Sequence, residues 1–237
     1  MDETSKEHFD RISARYRAAA QTWQPIYEQT LPVLAPLVRD RNVLDIGNGG
    51  VFAYDPATTR STTVVDISPE MLASLEAPNL RTVVADARDL SSLGDATFDT
   101  AVLMLVLHHV NGRTYRETKL QLEQVVQGVV GRLEPGGHLV VVEPVIRPAL
   151  RHLQRAAFPV LCRALEIAGM PMIHFHTRRD LTEVLAAAAT EVEAQPLIVT
   201  QSVDAFGASF PGLISLPPWF RPTDYYLFHA RRGTARD

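Results

Sequence analysis

Short apolar runs alternating with helical stretches predict an α/β fold built on a doubly wound, largely parallel sheet. The runs Val43-Leu44-Asp45-Ile46, Thr63-Val64-Val65-Asp66, Thr82-Val83-Val84-Ala85, Thr100-Ala101-Val102-Leu103-Met104 and His138-Leu139-Val140-Val141-Val142 are rich in β-branched residues. They are nearly continuous, the pattern of strands buried on both faces. Helical candidates lie between them at Pro69 to Glu76 and Leu120 to Leu133, the second closed by the stop-and-turn signal Glu134-Pro135-Gly136-Gly137. Such alternation is what a doubly wound sheet requires.

The flanking elements follow in order. Residues 1–38 read as helix, with Phe9, Ile12, Tyr16 and Ala19–Ala20 near helical spacing and Pro25, Pro32 and Pro36 breaking the pattern into pieces. After Pro144 the strand–helix rhythm is lost. Residues 148–169 form an amphipathic helical insert and Arg179 to Ala189 a second helix. Residues 196–203 and 224–231 read as two final strands, with a Pro/Gly-rich loop from Phe210 to Pro222 between them.

Composition removes several functions. The chain has 237 residues with 23 basic and 27 acidic side chains, a net charge of −4. An α/β domain of that size buries roughly 70–75% of its unfolded surface and needs no disulfide or metal staple. A mildly acidic chain is a poor match for a phosphate backbone, so no nucleic acid is expected as partner. The apolar run Ala101 to Leu107 is far short of a membrane span, and Met1 to Asp10 is too polar for a secretory signal; a cytoplasmic protein with no membrane partner is expected. The one cysteine, Cys162, excludes an internal disulfide and any multi-cysteine metal cage. Arginine supplies all but Lys6 and Lys119 of the basic residues, a bias that genomic base composition explains more simply than a guanidinium-specific role.

Ligands of open parallel sheets bind beyond the carboxyl ends of the strands, where the strand order reverses. The first strand ends in Asp45-Ile46-Gly47-Asn48-Gly49-Gly50, where glycines let the backbone approach a ligand and take positive φ. The second ends in Asp66-Ile67-Ser68, where an acid can accept two ribose hydroxyls. The third ends in Asp86-Ala87, where one can accept an exocyclic amine of adenine. Each acid alone is as readily a helix cap or turn former; three at successive strand ends form a pattern. A dinucleotide fingerprint would need a third glycine where Phe52 stands.

The blocks Val43-Leu44-Asp45-Ile46-Gly47-Asn48-Gly49, Val65-Asp66-Ile67-Ser68-Pro69-Glu70-Met71-Leu72, Ala85-Asp86-Ala87, Phe98-Asp99 to Leu107-His108-His109-Val110, and Leu133-Glu134-Pro135-Gly136-Gly137-His138-Leu139 resemble the class I S-adenosylmethionine-dependent methyltransferases, over about residues 40–145. The resemblance implies a Rossmann-like seven-stranded, mostly parallel sheet with a reversed last strand and helices on both faces. An N-terminal helical cap (1–40) precedes a methyltransferase domain (41–237), with residues 147–180 an inserted helical lid. It further implies S-adenosyl-L-methionine as cofactor. Asp45, Gly47, Asn48 and Gly49 would hold its methionine part, Asp66 the ribose, and Asp86 with Ala87 the adenine, with Ile67, Met71 and Met104 in the same pocket and Tyr16 reaching over it from the first helix. Val51 replaces the third glycine of the family's pattern, and Asp45 and Asp66 are only 21 positions apart with Pro56 between them. The helix after the first strand is therefore expected to be truncated or replaced by the turn Phe52-Ala53-Tyr54-Asp55-Pro56.

Methyl transfer from a sulfonium is an in-line displacement whose rate comes largely from holding two partners in near-attack geometry. A base is needed only where the acceptor must lose a proton. His108 and His109 follow the fourth strand and are the candidate bases, imidazole titrating near neutrality; capping or lining the pocket is the alternative role of the pair. His174 and His176 would either point into a substrate cavity or serve packing. No histidine pair has the helical spacing of a metal site, so no metal is expected even with Glu143 nearby. Trp23, Phe158, Phe175, Phe206, Phe210 and Trp219 lie in elements that would cap the cleft, and an aromatic cap suits an apolar acceptor and water exclusion. The expected reaction is methylation of a small organic acceptor, specifically a hydroxyl of a secondary metabolite in antibiotic biosynthesis. N- or C-methylation, a cyclase or isomerase that keeps the cofactor without transferring methyl, and a non-catalytic binding protein remain open, as does a homodimer.

Overall fold

Strand residues of this chain alternate between two separate cores, and that alternation builds the layers. The computed structural model describes residues 6–13, 23–167, 172–198 and 222–234; Tyr16, Phe206, Phe210, Trp219 and most of the predicted 210–222 loop lie outside them. The strands are β1 (Asn42–Ile46), β2 (Ser61–Asp66), β3 (Leu80–Val84), β4 (Phe98–Met104), β5 (Leu133–Ile146), β6 (Glu191–Leu197) and β7 (Thr223–Arg231). They form one seven-stranded sheet in the order β3-β2-β1-β4-β5-β7-β6. Pairing is parallel from β3 to β5, and β7 runs antiparallel to both β5 and β6. The strand order reverses between β1 and β4, so the ligand crevice opens there.

Leu44, Ile46, Ala101, Leu103, Leu139, Val141 and Phe228 face one side, under α4 (Tyr115–Gly131) and α6 (Arg178–Ala188). Val43, Val102, Val140, Val142, Tyr225 and Leu227 face the other, under α2 (Gln24–Val38). In α2 the buried residues Ile26, Thr30, Leu34 and Val38 recur every fourth position, a single stripe down one helix face. Pro32 and Pro36 sit within α2 rather than breaking it. Each proline costs about 3 kcal/mol in a helix interior, and burial of Ile26, Leu34 and Val38 at roughly 1.5–3 kcal/mol apiece offsets it.

Three expectations are adjusted and a fourth holds. The sixth strand lies at Glu191–Leu197, not 196–203. It is an edge strand, which tolerates Pro196 and carries only the weak alternation Val192, Ala194 as signal. Glu134-Pro135-Gly136-Gly137 does not precede the fifth strand but lies inside it, where β5 shifts register against β4 and Gly136 takes φ 78°. The helix predicted from Pro69 is only the single turn α3 (Pro69–Leu72), started by the Ser68 hydroxyl accepting the Met71 N–H. Between β1 and β2 the structure has one 3-10 turn, Pro56–Thr58, in place of an α-helix, as Pro56 and the short spacing foretold. The remaining helices are α1 (residues 6–13) and α5 (Arg151–Ile167). No helix among the described residues is long and apolar enough to cross a membrane.

The turn after β1 depends on glycine most sharply at Gly47. Gly47 has φ 65° and donates its N–H to the Val65 carbonyl at 2.7 Å. A Cβ there would lie 2.6 Å from a Val106 methyl. Gly47→Ala is therefore expected to cost about 1–3 kcal/mol, from positive φ and from the push on the turn after β4. Urea unfolding of the variant checks this, and an unchanged midpoint would show that the turn relaxes freely.

Candidate functional site

The loops at the carboxyl ends of β1 to β4 enclose a cavity of about 530 Å³, counting its open mouth, a size that holds a small ligand. Gly47 and Gly49 line it from the β1 turn, Asp66 and Ile67 from the end of β2, and Met71 from α3. Ala85 and Ala87 follow β3, Leu105, Val106 and His109 follow β4, and Phe9 of α1 covers one side. Of the predicted residues, Gly47, Gly49, Asp66, Ile67, Met71, Ala87 and His109 thus share one wall. Tyr16 is outside the described residues.

The others are near but turned elsewhere. Asp45 is 2% exposed, and one carboxylate oxygen accepts Asn48 Nδ2 at 2.8 Å and the Tyr54 hydroxyl at 3.1 Å. Burial, reinforced by the charge of Asp66, pushes the Asp45 pKa up to about 7. Asn48 is therefore spent on Asp45, beneath the turn. Asp86 forms an ion pair with Arg88, with Oδ1 at 3.0 Å from Nε and Oδ2 at 2.6 Å from Nη2, while Gln121 holds the guanidinium from α4. Met104 packs against the α2-side core.

Asp66 stands at the cavity edge with its oxygens spread. Oδ2 accepts the Gly49 N–H at 3.1 Å and Oδ1 the Ser68 N–H at 2.9 Å. Burial raises its pKa while these N–H groups oppose the rise. A carboxylate has room for about four acceptor contacts, so capacity remains for ligand hydroxyls. The Ser68 hydroxyl donates to Asp10 at 2.5 Å, and Phe9 meets His109 edge-on at 5.1 Å. These two contacts hold α1 over the cavity.

The turn after β4 is pinned from β5. Glu143 is 1% exposed; its Oε1 accepts the N–H groups of Val106 at 2.6 Å and Leu107 at 2.5 Å, and its Oε2 lies 2.8 Å from His108 Nδ1. Leu105, just before, adopts φ 59°, left-handed for a residue with a side chain, and donates to the Val142 carbonyl. His109 then faces the cavity with its ring 4.1 Å from that of His108. Burial, and next the neighbouring His108 and His8, hold the His109 pKa well below the usual imidazole value, so its ring is neutral at pH 7. Its Nδ1 is buried without a partner.

His174 and His176 are buried, 2% and 6% exposed, in the segment between α5 and α6. His174 donates its N–H to the His108 carbonyl at 3.0 Å, the His176 carbonyl accepts from Ile146, and Phe175 stacks on the His108 ring at 5.8 Å. The segment is thereby stitched to the β4 and β5 ends. Both histidines line a smaller cavity between α4 and α6 rather than the larger one. No group of three His, Cys, Asp or Glu among the described residues could hold a metal ion.

Sequence reasoning did not find Tyr54 or Phe9 as site residues, and weighed Glu143 only as a metal ligand. Phe9 carried a helical-spacing signal; the roles of Tyr54 and Glu143 depend on turns and strand register.

Residues 44–141 match the family model described as a methyltransferase domain. No curated protein matches the sequence. Among solved structures the chain is similar to the N-methyltransferase NodS of Bradyrhizobium japonicum WM9 in complex with S-adenosyl-L-homocysteine, at 19% identity and TM-score 0.60, covering 98% of this chain and 99% of that one. It is similar to the protein solved in complex with the Haloferax volcanii Trm112 methyltransferase activator, at 15% identity and TM-score 0.66 over 98% of this chain and 99% of that chain. It is also similar to the [4+2]-cyclase SpnF, at 16% identity and TM-score 0.58 over 95% of this chain and 81% of that chain.

Burial lowers the pKa values of His174 and His176 to about 4 and about 3 from an ordinary 6.5. Between pH 6.5 and 4 the unfolded chain binds more protons at these sites than the folded one. Their contribution is thus complete above pH 6.5 and is lost as pH falls. The melting temperature should drop from pH 7 to pH 4.5, and should drop less in a His174→Asn/His176→Asn double variant. Equal drops in the two proteins would show that these rings titrate alike folded and unfolded.

Proposed function

We propose that the protein, whose residues 44–141 match the methyltransferase-domain family model, transfers a methyl group from S-adenosylmethionine to a small organic acceptor, a hydroxyl of a secondary metabolite. The observation that carries this reading is the cavity at the strand-order reversal, with the Asp66 carboxylate at its edge and no lysine or arginine among the described residues that line it. When bound, S-adenosylmethionine supplies an electrophilic methyl on a sulfonium. The donor set fits that group. Asp66 accepts ribose hydroxyls with the capacity left to it, Ile67, Met71 and Ala87 supply an apolar slot for adenine, and the Gly47–Gly49 backbone permits close approach of the methionine part. Asp45, held by Asn48 and Tyr54, lies under that turn as a buried acid near its midpoint, ready to ionise beside an ammonium. Asp86, with Arg88, frames the adenine edge.

The acceptor side is drawn from the lid. Phe9 and the α5–α6 segment carrying Phe175 cover the turn after β4 and exclude water there. A chain of net charge −4 suits a small neutral acceptor better than a nucleic acid. A second reading, a cyclase or isomerase of the same fold, is favoured by the Val51 turn and by the similarity to SpnF.

Titration calorimetry with S-adenosylmethionine and S-adenosylhomocysteine tests the proposal, and no heat with either ligand would sink it. Asp66→Ala should weaken binding at least tenfold, as loss of charge-assisted contacts worth about 1.5–3 kcal/mol requires. Methyl-labelled cofactor with candidate acceptors then separates transferase from cyclase.

A further inference from the structure

We propose that the cavity between α4 and α6 is a second ligand site, separate from the cavity over Asp66. Its ligand is a small neutral molecule carrying a hydrogen-bond donor and acceptor side by side, a hydroxyl or a primary carboxamide. The cavity measures about 310 Å³, counting its open mouth, and shares no lining residue with the larger one. Tyr115 and Lys119 of α4 stand on one wall and Asp180 and Glu183 of α6 on the other, with His174 and His176 completing the lining. Arg151 Nη2 donates to the Tyr115 hydroxyl at 3.2 Å and to Asp180 Oδ1 at 2.8 Å, which ties the two walls together.

The two histidines set the chemistry. Each is buried and carries a ring nitrogen without a partner, Nδ1 in His174 and Nε2 in His176, whereas buried polar atoms are in general paired. Neighbours decide where the protons are. Gln154 accepts the Phe175 N–H on Oε1 at 3.1 Å and donates from Nε2 to the Phe175 carbonyl at 2.7 Å, which fixes the orientation of its amide. The same Nε2, a donor only, lies 3.4 Å from His174 Nε2. That ring nitrogen therefore accepts, and the proton of His174 is on Nδ1. The His176 ring hydrogen-bonds the Leu107 backbone; with Nε2 the nitrogen left unpartnered, the proton is on Nδ1 and the lone pair on Nε2. Burial holds both rings neutral at pH 7. The lining thus offers one donor and one acceptor from rings whose centres are 5.0 Å apart. Charge does not select the ligand, because each charged wall residue already has an opposite partner. Asp180 pairs with Arg151, Lys119 with Glu123 at 3.8 Å and Glu183 with Arg179 at 2.7 Å. A carboxylate only accepts and an ammonium only donates, so each would leave one ring nitrogen unmatched; a hydroxyl or a primary carboxamide serves both.

The test uses the full chain labelled with nitrogen-15 at histidine, with long-range proton–nitrogen spectra and the two rings assigned by their loss in His174→Asn and His176→Asn. At neutral pH the free protein should show both rings neutral with the proton on Nδ1. Acetamide and ethanol are then titrated as probes, with acetone, which only accepts, and acetate as controls. Acetamide or ethanol should shift the His174 Nδ1 and His176 Nε2 signals saturably. Acetone and acetate should bind at least about tenfold more weakly than the better probe, as loss of one hydrogen-bond partner requires. His176→Leu, read at His174, should weaken binding of that probe by about the same factor. Shifts that saturate with neither probe would assign the cavity to internal water alone and overturn the proposal. Acetone binding as tightly as acetamide and ethanol, an unchanged dissociation constant in His176→Leu, or a wild-type proton on Nε2 of either ring would each overturn it as well. No cofactor is needed in the sample, so the result stands apart from the methyltransferase reading.

Discussion

One buried carboxylate ties the cavity wall after β4 to the sheet. β4 ends where its chain must turn back across the crevice, and the N–H groups of Val106 and Leu107 lose their ladder partners there. Buried backbone donors need partners, and Glu143 from the neighbouring strand supplies them. Hydrogen bonds to a charged group contribute about 1.5–3 kcal/mol each, against a desolvation cost of several kcal/mol for a buried ion. The same contact lets Leu105 hold its left-handed conformation, which aims Val106 at Gly47 and His109 at the cavity. The turn after β1, the turn after β4 and the α5–α6 segment therefore meet around a single side chain.

The two cores explain why the site lies where it does. Strand residues of opposite parity are buried under α2 on one face and under α4 and α6 on the other, so the strands are rigid and their carboxyl ends are free for loops. Where a regular helix would follow β1, the chain has a turn, and the Tyr54 hydroxyl reaches back to Asp45. That contact supplies locally what the missing helix would have supplied by packing. The charge of Asp66 adds to burial in disfavouring the ionised form of Asp45, and on the proposed reading a cationic ligand would relieve it.

Legibility from sequence followed burial. Strands β1, β2, β4 and β5 were readable because both faces are largely buried, so each appears as a nearly uninterrupted apolar run; β3, an exposed edge strand, was readable only from the β-branched Thr82-Val83-Val84. β6 was misplaced because it is an edge strand with one covered face and a faint alternation, Glu191-Val192-Glu193-Ala194-Gln195. The prolines of α2 misled because their rings sit off the buried stripe of Ile26, Leu34 and Val38. Glycines and acids at strand ends were visible as motifs. Their orientation was not: Asn48 turns to Asp45 and Asp86 to Arg88, choices made by neighbours distant in sequence or set by side-chain geometry. Glu143 could be placed against His108 only once β5 was known to pair with β4 in the register Met104 to Val142.

On the proposed reading, the cavity over Asp66 and the turn held by Glu143 form one methyl-transfer site. A crystal structure with S-adenosylhomocysteine tests it most directly. The ribose hydroxyls are expected within hydrogen-bond distance of Asp66, adenine against Ile67, Met71 and Ala87, and Glu143 still bound to Val106, Leu107 and His108. Product bound elsewhere, or bound in this cavity with the Glu143 contacts broken, would contradict it.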